Sequence, residues 1–257
     1  MPKLLIQHRT LGRFLRPVLV TTQRYQTAVD VGDPVSQAKI YEAQLADELI
    51  VLNIDGTPIG DDVVMLALIE RLASETFMPL AVGGGVTTVD DFARLLERGA
   101  DKVTVNTSVL DRPGIISTAA ARFGTQCVVV SIDFKVDADG NATVYRDHGQ
   151  HATGRTVLDW AVEATTRGAG ELLLTDVDRD GTAAGLNCDV GRLVADAVRV
   201  PTILSGGCGL SEHFVEGFTR GHAQAVAAGT FFSFRDQNPM QTRAHIRNAG
   251  IPIRMET

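Results

Sequence analysis

The chain has 257 residues, 44% of them hydrophobic and 21% charged, a balance that excludes a disordered or low-complexity polypeptide. Twenty-four Lys and Arg against 31 Asp and Glu give a formal charge of −7. That argues against a broad phosphate-backbone surface and against nucleic acid as a partner, while leaving room for local binding of a small anion.

Residues 1–16, MPKLLIQHRTLGRFLR, are charged throughout and lack the apolar centre of a signal peptide. They read as an N-terminal extension. From Pro17 onward, short β-branched runs alternate with segments of helical period. The predicted strands are PVLVTT from Pro17, DELIVLNI from Asp47, PLAV from Pro79, KVTVN from Lys102, CVVVSID from Cys127, ELLLTDV from Glu171, PTILS from Pro201 and QAVAAG from Gln224. Between them lie the amphipathic stretches VSQAKIYEAQLA, VVMLALIERLAS, VDDFARLLERG, ISTAAARF, VLDWAVEATTRG, VGRLVADAV and EHFVEGFTRG, with MQTRAHIRNAG last. Strand and helix at this pitch mean parallel pairing with right-handed crossovers. Eight such units fill the length, so a (β/α)8 TIM barrel is preferred to an open doubly wound sheet, and the chain reads as one domain over residues 1–257. No run approaches the roughly 18 to 20 apolar residues of a membrane span. Three cysteines, Cys127, Cys188 and Cys208, without paired spacing, support neither a disulfide framework nor a zinc site, and place the chain in a reducing cytoplasm.

The chain repeats itself. Asp55 is followed after 29 residues by Gly84 and after a further 23 by Thr107; Asp178 is followed after 28 by Gly206 and after a further 24 by Thr230. The matched intervals suggest two half-barrels, at about 17–125 and 126–250. Each half carries an anion cradle. Gly84 and Gly85 with Asn106 and Thr107 form one, and Gly206 and Gly207 with Gly229 and Thr230 the other. Glycines let the backbone approach an anion, amides at a helix start point at it, and a hydroxyl adds a donor. Two cradles on one rim imply a substrate with two phosphates. Asp133 and Asp180, at the ends of predicted strands five and six, fall on the rim where barrels place their chemistry, as a carboxylate pair suited to acid–base work. No metal or cofactor is expected.

The elements VGGGV, ADKVTVNT, FGTQCVVVSID, GAGELLLTDVDRDGT, SGGCG and EHFVEGF resemble the cyclase subunit of imidazole glycerol phosphate synthase over nearly the whole chain. The resemblance implies a barrel that receives ammonia from a HisH-like glutaminase subunit and uses it to cleave and cyclise a bis-phosphorylated ribonucleotide. It matches Asp133 to the family's catalytic aspartate on strand five, Asp180 to the functional aspartate after strand six, and Gly84, Thr107, Gly207 and Thr230 to phosphate contacts. Glu48, Lys102 and Glu171 match the charged ring at the family's ammonia entrance, and Asp101 a position facing the glutaminase. One departure stands out. With Pro17 opening strand one, Val20 occupies the place of the family's other catalytic aspartate, and the loop from Thr21 to Val31 is about seven residues short, without a lysine. Asn53 replaces a further aspartate. In places the chain is more similar to the AglZ-type barrels linked to acetamidino modification of surface sugars. The expectation is an ammonia-transferring synthase acting on a phosphorylated acceptor other than the histidine-pathway intermediate. The alternatives are the histidine-pathway cyclase itself, with a residue such as Asp55 standing in, and a non-catalytic phosphate-binding scaffold or glutaminase activator.

Overall fold

The computed structural model describes residues 1–234 and 237–254. Its elements run β1 (Lys3–Leu11), β2 (Phe14–Thr21), β3 (Val29–Gly32), α1 (Pro34–Ala43), β4 (Leu49–Asn53), α2 (Val63–Glu75), β5 (Leu80–Gly83), α3 (Val89–Glu97), β6 (Lys102–Val105), α4 (Thr107–Asp111), α5 (Gly114–Phe123), β7 (Val128–Val136), β8 (Ala142–Arg146), β9 (His151–Thr156), α6 (Val157–Thr166), β10 (Glu171–Asp176), α7 (Cys188–Ala195), β11 (Thr202–Ser205), α8 (Ser211–Thr219), β12 (Ala225–Ala227), α9 (Thr230–Phe234) and α10 (Pro239–Asn248). Strands β1, β4, β5, β6, β7, β10, β11 and β12 pair in parallel in that order. The bridge from Pro2 to Ala228 closes the ring, reinforced by Lys3 N donating to Ala228 O at 2.9 Å. The result is the (β/α)8 barrel, with no sheet edge left open along the wall.

Local chemistry sets the helix starts. Asp33 caps α1, whose first residue is Pro34; Asp62 caps α2, and Thr88 with Asp91 forms a reciprocal capping box on α3. The barrel interior holds a small apolar layer of Ile50, Ala81, Val129, Leu173, Ile203 and Ala227, separate from the larger core between strands and helices. Trp160, Tyr41 and Phe92 are among the largest buried side chains of that outer core.

The expected position of strand one is corrected. The first barrel strand is β1, inside the segment read as an extension, and Pro17 to Thr21 belong to β2, an antiparallel strand beside it. Leu5 pairs with Val20 and His8 with Pro17. The amide-less Pro17 is tolerated in the projecting hairpin, where the full parallel ladder is not required. A second excursion, the β8–β9 hairpin, rises from the end of β7. Among the described residues no helix is long and apolar enough to cross a membrane. Cys188 and Cys208 are buried and Cys127 half-buried, all as free thiols.

Candidate active site

A cavity of about 570 Å³ opens at the C-terminal ends of the strands. It is lined by inward-facing residues of several strands: Lys3, Leu5 and Gln7 on β1, Thr104 on β6, Ser131 and Asp133 on β7, and Thr175 on β10. Side chains alternate across a strand, so Lys3, Leu5 and Gln7 share the inner face while Leu4, Ile6 and His8 face the helices. The inward position at the rim end of the first barrel strand is therefore Gln7, not Val20, and it carries an amide instead of a carboxylate.

Asp133 lies at the centre. Tyr25 Oη donates to its Oδ1 at 3.0 Å, and Asn106 Nδ2 to its Oδ2 at 2.8 Å. Burial raises its pKa from the ordinary 3.8 to about 6, against the opposing pull of Tyr25, the Lys3 charge and Asn106. A carboxyl poised there exchanges protons near neutral pH, as an acid–base catalyst must. Tyr25 is held well above the usual tyrosine value, first by its own burial and then by the charges of Asp133 and Asp180. It remains a phenol and a donor.

Asp180 is also buried, but it is engaged from the barrel wall. Lys3 Nζ lies 3.2 Å from its Oδ1 and 3.1 Å from Ser205 Oγ. Asp180 itself is not among the residues facing the cavity. The short loop after β2 lies between the two carboxylates. Arg24 N donates to Asp180 O at 2.9 Å and Arg24 Nε to Asp178 O at 3.1 Å. Arg24 and Tyr25 both adopt positive φ, 52° and 58°, which costs about 1 kcal/mol or more per residue and marks a conformation fixed by its surroundings.

The two expected cradles differ in their exposure to the cavity. Gly84, Gly85, Asn106 and Thr107 line it, joined by Ser108 and Arg112. A Cβ on Gly84 would collide with Asn53 O, and one on Gly85 with Thr57 O, so glycine is required by backbone contact as well as by φ. Gly206, Gly207, Gly229 and Thr230 do not border this cavity. A Cβ on Gly207 would collide with Gly185 O; the loop after β10 packs directly on it. His148 and Gln150, from the β8–β9 turn, reach the cavity mouth, a placement that the sequence motifs did not signal. Asp55 is turned away, its carboxylate accepting from the His8 amide and lying 3.1 Å from His8 Nδ1.

At the opposite end of the barrel, Lys102 Nζ bridges Glu48 Oε2 at 2.8 Å and Glu171 Oε1 at 2.7 Å. Burial opposes the Lys102 charge, yet the two carboxylates outweigh it and hold its pKa above the lysine norm. Burial raises Glu48, with Lys102 pulling the other way. Glu48 Oε1 and Glu171 Oε2 remain buried without a partner. Asp101, exposed beside this cluster, accepts from Leu80 N at 2.8 Å. Among the described residues no group of three His, Cys, Asp or Glu is placed to hold a metal.

The protein is a parallel (β/α)8 barrel with a buried carboxylate beside a glycine-rich turn at its C-terminal rim, the end at which barrels of this class place their sites. Residues 15–237 match the histidine biosynthesis protein family, and the chain belongs to that family. The match begins beyond β1. A relative from Prochlorococcus marinus (strain MIT 9313), provisionally named imidazole glycerol phosphate synthase subunit hisF2, is 49% identical over 255 residues, covering 99% of this chain and 97% of the relative.

Proposed function

We propose that the chain is the synthase barrel of a glutamine-dependent ammonia-transferring pair, acting on a phosphorylated acceptor that differs from the histidine-pathway intermediate. Ammonia released by a HisH-like glutaminase docked near Asp101 enters past Lys102, Glu48 and Glu171. It crosses the apolar layer around Val129 and Leu173 to reach the cavity. The first cradle holds the acceptor's phosphate, Asp133 shuttles protons, and Asp180, set by Lys3, is its counterpart across the Tyr25 loop. The observation that carries the reading is the alignment of the two ends: a paired charge cluster at one mouth of the barrel and a proton-poised carboxylate with a phosphate cradle at the other.

Gln7 at the rim end of β1 and the short Tyr25 loop support a changed acceptor. A cyclase of the histidine type works with a second carboxylate on strand one, and losing one acid–base group costs about 10²–10⁴ in rate. An acceptor related to acetamidino modification of surface sugars is suggested by the AglZ-type features of the sequence.

The histidine-pathway cyclase is the second reading, favoured by the extent of the similarity to the Prochlorococcus relative. Complementation of a histidine auxotroph separates the two. The expected outcome is no growth from a chain that accumulates as folded protein, and growth at a normal rate refutes the changed acceptor. The scaffold reading predicts that Asp133→Asn leaves the biological output intact.

A further inference from the structure

The β1–β2 hairpin carries the inner face of the barrel beyond its rim. Gln7 lines the cavity, and the register pairs Gln7 with Val18, Arg9 with Arg16 and Leu11 with Phe14. Directly paired residues point to the same side of a ribbon, and alternate residues along a strand share it. Arg9, Arg16, Leu11 and Phe14 thus form one surface continuous with Gln7. Arg9 Nη2 donates to Gln7 Oε1 at 3.3 Å, tying the ribbon to the cavity threshold.

This surface is built against its own stability. Like charges directly opposite on neighbouring strands repel, and the chain has 31 acidic residues that could have supplied a partner. Leu11 and Phe14, at 60% and 75% exposed, leave a bare apolar tip next to the two guanidiniums. A cationic pair about 5 Å apart at the Cβ atoms, with an aromatic ring beyond it, fits a ligand having two adjacent anionic groups followed by a planar one.

Building on the reading of the cavity as an acceptor site, we propose that this ribbon binds the diphosphate of a nucleoside-diphosphate-linked acceptor. Arg9 and Arg16 hold the two phosphoryl groups of the diphosphate, Phe14 stacks on the base, and the group to be modified, carrying the separate phosphate held by the Gly84–Gly85 cradle, enters past Gln7. Guanidinium forks suit phosphate oxygens better than any other side chain, and base stacking on an aromatic tolerates any base.

The test is equilibrium binding of UDP, ADP, inorganic pyrophosphate and inorganic phosphate to the full chain, without any glutaminase. The variants are Arg16→Glu and Phe14→Ser. Arg16→Glu creates a cross-strand ion pair with Arg9 and is expected to fold with an unchanged or higher Tm. It should weaken UDP, ADP and pyrophosphate by about tenfold or more, the equivalent of a single charge-assisted contact, and leave inorganic phosphate at the Gly84–Gly85 cradle unaffected. Phe14→Ser should weaken the nucleotides by about tenfold and spare pyrophosphate. Nucleotide affinity that is unchanged in Arg16→Glu, or no nucleotide binding to the parent chain, overturns the proposal. Arg16-dependent nucleotide binding in a chain that shows no cradle binding of phosphate would instead sink the cavity reading and leave the ribbon assignment standing.

Discussion

Replacing Asp133 by Asn should make the protein more stable at alkaline pH while removing its chemistry. In the folded chain the carboxyl titrates at about 6 against an ordinary 3.8, because burial penalises its charged form. The folded state therefore holds a proton that the unfolded state has lost between those two values. Stability falls as pH rises through that window and stays reduced above about 6. The full cost is about 3 kcal/mol at pH 8 by the usual 1.36 kcal/mol per pH unit. The asparagine variant carries no charge at this position, so it escapes the whole of this cost. Its amide group leaves one of the two donors, Tyr25 Oη or Asn106 Nδ2, facing N–H instead of oxygen, a pH-independent penalty of about 1 kcal/mol. The expected balance is a loss of about 0.5 kcal/mol at pH 4, where the unfolded carboxyl is already partly ionised, turning into a gain of about 2 kcal/mol at pH 8. That gain corresponds to roughly 5 °C in Tm for a domain of this size. Urea unfolding of both proteins at pH 4, 5, 6, 7 and 8 measures it. A difference between the two that stays flat with pH would show that Asp133 is an ordinary aspartate, and the proton-handling role would fall with it.

Further outcomes follow from the same geometry. Tyr25→Phe removes a hydrogen bond that favours the ionised form of Asp133, so the acidic limb of the pH–rate profile should move upward, and a limb that stays in place contradicts the contact. Lys3→Met takes away the cation that also holds Asp133 down and leaves Asp180 buried without its ion pair. A buried charge stripped of its partner costs about 3–5 kcal/mol, which chemical denaturation at pH 7 should reveal. Gly85→Ala forces a Cβ against Thr57 O and should abolish inorganic phosphate binding at the first cradle. Its circular dichroism should remain that of a folded barrel, and retained binding would move the phosphate site elsewhere.

Much of the architecture is written in local pattern. The apolar runs ending at Asp133 and Asp176 are buried on both faces, so they read as parallel strands without any tertiary knowledge. The first strand does not, because its inward positions include Lys3 and Gln7 and its outward end is His8, polar residues whose partners lie far along the chain. Lys3 meets Asp180 across 177 positions and His8 meets Asp55 across 47. No window of sequence holds both members of either pair. The sequence places the end of strand one at Val20, whereas in the structure β1 is the first barrel strand and Gln7 is its cavity-lining residue nearest the rim. Tyr25 was invisible for the same reason: its hydroxyl finds Asp133 across 108 positions, through a loop whose two left-handed residues carry no glycine to announce them. The paired glycine turns were recognisable as a repeat, but repetition could not tell that the loop after β10 packs on Gly207 while Gly84 and Gly85 stay open to the cavity.

The central claim is that ammonia passes from a glutaminase through this barrel to a phosphorylated acceptor. The most direct measurement is the rate of glutamine hydrolysis by a HisH-type glutaminase titrated with the chain, alongside Lys102→Met and Asp101→Lys variants. The account predicts a saturable, stoichiometric rise in hydrolysis that Asp101→Lys weakens in affinity. Lys102→Met should alter how far hydrolysis is coupled to ligand in the cavity. A glutaminase rate that is unchanged at every concentration of the folded chain would contradict the account.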